Sequence, residues 1–266
     1  MPNRMTIIGI DPDKEWERIG RTEPYFGVLE SEEMKGRRPP EDKLSEFFSQ
    51  GERDVERLLG TMRSRFDPDF APEIALDYGC GVGRVLVPLA RHCRKVIGMD
   101  ISDSMMAEAS LNCGRFGVNN AEFIKADDAL SRLEGQVDMV HTHEVLQHIP
   151  VKRGMAVIGE LVDHLAEGGM GYIEFPYMAV SGRAHEAIRP LFYRSSVMYG
   201  LANIVTGGGY SDRKTEMNQY DLDEVLRLLL ERGIGEVLVS TERMGHFLTA
   251  EVFFQRPVQA PAPFLG

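Results

Sequence analysis

From Ile74 to Met178 short apolar runs alternate with segments of helical periodicity, and this alternation constrains the fold more than any other feature of the chain. IALDYG, KVIGMDI, AEFIKADD, VDMVHTHEV and GMGYIEFPYM are runs of strand length, each bounded by glycine or polar residues. Between them lie RVLVPLARH, SMMAEASLNCGRFG and residues 152–167, expected as helices, with Met155, Ile158, Val162 and Leu165 on one stripe of the last. Pro88 falls early in the first of these and is expected to bend it, because proline has no N–H to donate. Strands that alternate with helices must run parallel, with the helices covering both faces of the sheet. The expected class is therefore α/β, a Rossmann-like, mostly parallel sheet.

Glycines cluster where the first strand meets the first helix, in Asp77-Tyr78-Gly79-Cys80-Gly81-Val82-Gly83-Arg84. Such a loop allows a tight turn and lets a ligand lie against the backbone. The N–H groups of a following helix then favour an anionic group such as a carboxylate or phosphate. The dinucleotide fingerprint G-x-G-x-x-G, counted from Gly79, requires glycine at position 84, which is arginine. A phosphate-binding P-loop is excluded because no G-K-[ST] follows. The pattern present is D-x-G-x-G-x-G. Asp100 closes the second strand 17 residues after Gly83, where an acid can accept hydrogen bonds from both hydroxyls of a ribose; the alternative is an ordinary polar strand end. Asp127 and Asp128 close the third strand, as ligand contacts or as solvated loop acids.

The spacing D-x-G-x-G-x-G resembles motif I of the class I S-adenosylmethionine-dependent methyltransferases. The segment VDMVHTHEVLQHIP, residues 137–150, resembles the fourth strand and following turn of a bacterial subset acting on small molecules, in which V-L-Q-H-I-P recurs. Trp16, Gly20 and Pro24-Tyr25-Phe26 resemble that subset's N-terminal segment, and Met217-Asn218-x-Tyr220 its C-terminal insert. The resemblance implies a seven-stranded sheet, S-adenosylmethionine as cofactor, and cofactor contacts from Asp77, Gly79, Cys80, Gly81, Gly83, Arg84, Asp100, Ile101, Met105, Ala126, Asp127, Asp128, His143 and Glu144. An acid at the end of the third strand would receive the adenine amino group, and His143 and Glu144 would lie near the methionine end. Methyl transfer to a small or medium-sized acceptor, at oxygen, is the expected activity; a sugar, a natural product or a peptide carboxylate would fit. A non-catalytic cofactor-binding sensor or scaffold is the competing reading, and an aminopropyl transferase a third.

A hydroxyl acceptor calls for a general base near neutral pH, which points to histidine. His143 and His148 are the candidates, each of which could instead orient or pack the turn; His246 is more remote, and His141 is expected deeper on the strand that carries His143. No carboxylate or cysteine cluster accompanies these histidines at ligand spacing, so no metal is expected.

The flanks are less regular. Residues 1–70 are polar and read as an N-terminal helical cap, with Leu44, Phe47, Phe48, Val55, Leu58, Leu59 and Met62 as a buried stripe. The core domain is placed at 71–257, with an insert at 179–220 expected to form part of the acceptor pocket, and a mobile tail at 258–266. DLDEVLRLLLERG is expected as a helix capped by Asp221 and stopped by Gly233, burying Leu222, Val225, Leu226, Leu229 and Leu230, and two closing strands follow as a hairpin. Trp16, Tyr25, Phe26, Phe192, Tyr193, Tyr199, Tyr210 and Tyr220 all lie outside the core alternation, either as packing anchors or as a lid.

The formal net charge of −11 counts against a nucleic acid as main partner, since phosphate binding concentrates Lys and Arg. Cys80, Cys93 and Cys113 form no C-x-x-C pair, and a reducing cytoplasm is the expected setting. The N-terminal apolar patch breaks at Asp11, and no apolar run approaches a membrane span, so no membrane partner is expected.

Overall fold

A computed structural model describes residues 11–29, 31–180 and 217–258. In chain order the helices are α1 (Pro12–Thr22), α2 (Pro24–Val28), α3 (Glu41–Arg65), α4 (Leu86–Leu89), α5 (Asp103–Arg115), α6 (Val151–Asp163) and α7 (Leu222–Glu231). The strands are β1 (Ile74–Tyr78), β2 (Lys95–Asp100), β3 (Ala121–Lys125), β4 (Val137–Thr142), β5 (Leu165–Ala179), β6 (Val237–Met244) and β7 (Phe247–Gln255). They form one seven-stranded sheet in the order β3-β2-β1-β4-β5-β7-β6. The pairs from β3 to β5 are parallel, and β7 inserts antiparallel between β5 and β6 as the expected hairpin. Chain order reverses between β1 and β4. Beyond the carboxyl ends of those strands lies the crevice in which open α/β sheets bind ligands.

Apolar clusters cover both faces of the sheet. On one, α3 buries Leu44, Phe47, Phe48, Val55, Leu58, Leu59 and Met62, the stripe expected from sequence, against β-sheet residues such as Ala75, Val96 and Phe253. On the other, α6 and α7 bury Val157, Ile158, Leu161, Val225 and Leu229. Each large apolar side chain so buried contributes roughly 1.5–3 kcal/mol relative to exposure. The cap joins the first cluster through Ile19, Tyr25 and Met34, so it belongs to the core rather than resting on it.

Three expectations fail in detail. The helix expected over 152–167 ends at Asp163, and Leu165, expected on its stripe, opens β5 instead. The helix after the glycine loop is only a four-residue α-helical piece followed by a 3-10 turn at Ala90–His92. Pro88 sits inside it without an N–H, and its backbone bonds include Val87 to Gly83, Leu89 to Val85 and Ala90 to Leu86. A helix this short has almost no macrodipole, so polarity at the loop comes from individual N–H groups. In α7, Leu230 is 66% exposed. Val225 and Leu229 are buried there while Leu222 and Leu226 are partly covered, a narrower stripe than expected. Asp221 does cap this helix, accepting from the N–H groups of Asp223 and Glu224.

The insert expected at 179–220 lies for the most part outside the described residues, with Phe192, Tyr193, Tyr199 and Tyr210, as does the tail from 259 on.

Candidate functional site

The described residues enclose a cleft of about 620 Å³ at the carboxyl ends of β1 and β4. Its floor is the glycine loop. Gly79, Gly81 and Gly83 all adopt positive φ (77°, 51° and 85°), a backbone conformation that side chains resist. At Gly79 a Cβ would also lie 2.2 Å from Val145, so the loop and the turn after β4 approach as closely as a missing side chain allows. From behind, α3 reaches the loop at Gly51, where a Cβ would strike the Arg84 carbonyl at 2.0 Å. Arg84 pairs with Asp54 of that helix at 2.5 Å.

Asp100 stands at the end of β2, nearly sealed, with both oxygens directed at backbone. Oδ2 accepts from the Gly81 N–H at 2.9 Å and Oδ1 from the Ser102 N–H at 2.8 Å. The acid thus ties the glycine loop to the start of α5, which Ser102 caps through the Met105 N–H. Burial pushes the Asp100 carboxyl up to about 6, against the pull of those N–H groups. Asp77 is buried at the cleft base, 2.7 Å from His141 Nδ1. Burial raises the Cys80 thiol well above its ordinary range, leaving it an inert small apolar group.

The far wall comes from β3 and the turn after β4. Ala126 donates its N–H to the Asp100 carbonyl. Asp127 spends its carboxylate on a local turn with Ala129 and Ser131, whereas Asp128 is gripped by Arg153 through two hydrogen bonds of 2.7 and 2.8 Å. The same guanidinium reaches Asp13 of α1, tying that helix to the cleft wall. Glu17 fastens the other side of α1 to Ser102 and Ser104.

Of the candidate bases, His143 and His148 both line the cleft, as do His141, His246 and Glu144. His148 is 4.8 Å from the Trp16 ring. Its turn is clamped by the end of the insert: Asn218 donates twice to the Gln147 carbonyl, and the Tyr220 hydroxyl lies 2.9 Å from the carbonyls of Leu146 and Ile149. Glu144 has φ of 56°, rare for a residue with a side chain, and this strained step aims its N–H at buried Glu174, 2.9 Å away. Burial, reinforced by the nearby Glu144 and Glu251 carboxylates, pushes Glu174 up to about 7.

Sequence reasoning missed Glu174, Tyr172, Glu251 and Arg57, which gather behind His143. They sit in the interiors of strands and a helix with no motif around them, so no local signal marks them. Every cofactor-side candidate named from sequence except Gly83 lines the cleft. Gly83 lies behind it, against Ala109 and Val87, where its role is to let the turn form. Among the described residues no group of three metal-ligating side chains occurs, and no helix is long and apolar enough to cross a membrane.

Residues 75–169 match the model of a methyltransferase domain. The chain is 40% identical over 76 residues to 23S rRNA (uracil(1939)-C(5))-methyltransferase RlmD of Aeromonas hydrophila, covering 29% of this chain and 16% of that protein. It is 36% identical over 91 residues to the magnesium-protoporphyrin O-methyltransferase of Synechocystis, covering 33% and 38%. The chain thus spans well under two thirds of these curated relatives. The fold is that of the crystal structure of magnesium protoporphyrin IX methyltransferase from Synechocystis with bound SAH, with a TM-score of 0.57, 20% identity, and coverage of 91% of this chain and 93% of that one. It is also that of the N-methyltransferase NodS from Bradyrhizobium japonicum, with a TM-score of 0.56, 15% identity, and coverage of 93% and 100%.

Proposed function

We propose that the protein binds S-adenosylmethionine in this cleft and moves its methyl group to a small or medium-sized acceptor, at oxygen. The observation that carries the proposal is the D-x-G-x-G-x-G loop joined to a buried strand-end acid at the switch point, within the stretch that matches a methyltransferase domain. The residues fit the cofactor. Each Asp100 oxygen accepts one N–H and keeps a lone pair for a ribose hydroxyl. The backbone at Gly79 and Gly81, free of side chains, with Asp77, Cys80 and Arg84 beside it in the cleft lining, suits the amino-acid end. Ile101, Met105, Ala126, Asp127 and Asp128 flank the place of the adenine, and His143 and Glu144 that of the sulfur.

When bound, the cofactor supplies a methyl group on positively charged sulfur, which leaves as a neutral thioether. The protein's task is to hold the acceptor oxygen in line behind that methyl in a dry pocket, a contribution of about 7–11 kcal/mol when geometry is ideal. As the new C–O bond forms, the acceptor's proton passes to a neutral imidazole of His143 or His148, typically worth about 10²–10⁴-fold. Burial, with the positive charges of Arg84 and Arg57 and the neighbouring His141, holds His143 well below its usual range, so it is uncharged at neutral pH.

Calorimetry tests the cofactor: S-adenosylmethionine or its demethylated product should bind and NAD should not, and equal affinity for NAD would overturn the assignment. An acceptor screen with methyl-labelled cofactor tests the rest. Because some relatives are named as RNA methyltransferases, the screen should include ribosomal RNA. The net charge of −11 favours the small acceptors. Label appearing only in RNA would contradict that choice, and binding without transfer to anything would leave a sensor.

A further inference from the structure

His143 follows directly on β4 and, among the described residues, makes one side-chain hydrogen bond, through Nδ1, 3.2 Å from the Tyr172 hydroxyl of β5. A second oxygen on the same side of the ring is Glu174 Oε2, 3.8 Å from Nδ1. The Tyr172 hydroxyl in turn lies 3.0 Å from Glu251 Oε1 on β7, and that oxygen also accepts from Arg57 Nη2 of α3 at 2.8 Å. The other Glu251 oxygen accepts from the Ser240 hydroxyl of β6 at 2.8 Å. Four strands and one helix therefore converge on a single hydrogen-bonded chain.

Counting protons along that chain fixes its direction. Arg57 can only donate. Burial raises the proton affinity of Glu251, but Arg57, Ser240 and Tyr172 together outweigh it and hold the carboxyl below its ordinary value, so Glu251 is ionised and can only accept. Tyr172 has one hydroxyl proton, which burial and the two neighbouring carboxylates keep in place, and it is committed to Glu251. What Tyr172 has left for His143 is a lone pair. The bond at 3.2 Å then requires a proton on His143 Nδ1, and Glu174 Oε2 on the same side favours the same arrangement. A neutral imidazole carries one N–H only, so Nε2 holds a lone pair. Among the described residues Nε2 has no hydrogen-bond partner, and it is not one of the buried unpartnered atoms, which are Thr142 Oγ1, Gln147 Oε1 and Glu174 Oε1.

We propose that Tyr172, oriented by Glu251 and Arg57, is a positioning residue that sets the tautomer of His143, keeping its proton on Nδ1 and leaving Nε2 to receive the acceptor's proton. The proposal rests on methyl transfer from the cleft for its catalytic meaning, and it selects His143 over His148 as the base. The groups facing the ring are His141 on its own strand, Tyr172 and Glu174 from β5, Arg57 from α3 and Arg84 from the glycine loop. None of these offers Nδ1 a competing donor at hydrogen-bond distance.

The tautomer is measurable without substrate or cofactor. Long-range proton–nitrogen correlation NMR on the full chain, with His143 assigned from the signals lost in His143→Gln, should show Nδ1 as the protonated and Nε2 as the unprotonated nitrogen at about pH 8. In Tyr172→Phe, which keeps the ring stacked 5.4 Å from His141, the form protonated at Nε2 should rise to dominate, as it does in free imidazole side chains. With any acceptor found, kcat at neutral pH should fall about 2- to 10-fold, the scale of one hydrogen bond, while KM and cofactor affinity stay within about twofold. Arg57→Lys, which keeps a donor for Glu251, should retain the wild-type tautomer. If Tyr172→Phe fails to fold, Arg57→Gln, at a side chain 48% exposed, should shift the tautomer in the same direction by a smaller amount. A wild-type His143 protonated on Nε2, or a tautomer unmoved by both variants, would overturn the proposal. The expected tautomer in a protein that methylates nothing would overturn the methyltransferase reading and leave the role of Tyr172 in place.

Discussion

Asp100 and Glu251 are both carboxylates withdrawn from solvent, on opposite flanks of the switch point, and they are held in contrasting ways. Asp100 is gripped by two backbone N–H groups from within a few residues of the motif, and burial still pushes it up to about 6. Glu251 is gripped by side chains from α3, β5 and β6, and those partners hold it below its ordinary value despite burial. The β1–β2 flank presents an acid with acceptor capacity to spare, which suits the binding of a neutral donor such as a hydroxyl. On the β4–β5–β7 flank the Glu251 carboxylate is taken up by protein donors, and what the proposed arrangement would pass to the cleft is an oriented histidine. In the proposed function one flank binds and the other orients.

Substitution on the orienting flank should show the largest effect. His143→Ala is expected to lower kcat by about 10²-fold or more at neutral pH with cofactor affinity nearly unchanged, and the loss should shrink at high pH as the acceptor ionises unaided. His148→Ala serves as its control. Near-normal kcat in both variants would remove histidine base catalysis and leave proximity as the source of rate.

On the binding flank, Asp100→Ala should weaken S-adenosylmethionine by about 1.5–3 kcal/mol in calorimetry, the range for hydrogen bonds to a charged group. Affinity within a factor of two of wild type would mean that the acid serves only to shape the loop.

The smallest effect concerns stability. Glu174 is raised in the folded protein from 4.5 to about 7, so its contribution to folding is present below pH 4.5 and is lost as pH rises through 7. Glu174→Gln keeps an acceptor for the Glu144 N–H and cannot ionise. It should be more stable than wild type by about 2 kcal/mol near pH 8, with the difference vanishing below about pH 4.5, in denaturant titrations at the two pH values. A constant difference across that range would show that Glu174 does not titrate as its burial implies.

The two flanks also differ in how much of each was legible in the sequence. Asp77, the glycines and Asp100 were legible because a parallel strand is a short apolar run and its carboxyl end is marked by whatever breaks the run. The stripe of α3 was legible for a related reason: seven apolar residues at helical spacing admit one buried face. Leu230 was misplaced because periodicity identifies a face but not its width, and α7 packs with only the centre of its stripe. The length of α4 was not legible because apolar periodicity runs on through Ala90–His92, where the chain forms a 3-10 turn instead. His141 was placed correctly as buried, but its pairing with Asp77 joins two strands and has no signature in either. The same holds for Arg57, Tyr172 and Glu251, whose meeting depends on β7 returning between β5 and β6.

That return has a consequence for how the protein is made. Arg57 and Glu251 are 194 positions apart. The residues of β1 to β4 and the glycine loop have all been synthesised by Thr142, but the contact proposed to orient Tyr172 needs Glu251. Pairings so distant in sequence are slow to close, because the intervening chain must be ordered first. On the proposed function, a nascent chain or one truncated before Glu251 would have its glycine loop before His143 is oriented, and competence to bind would precede competence to react.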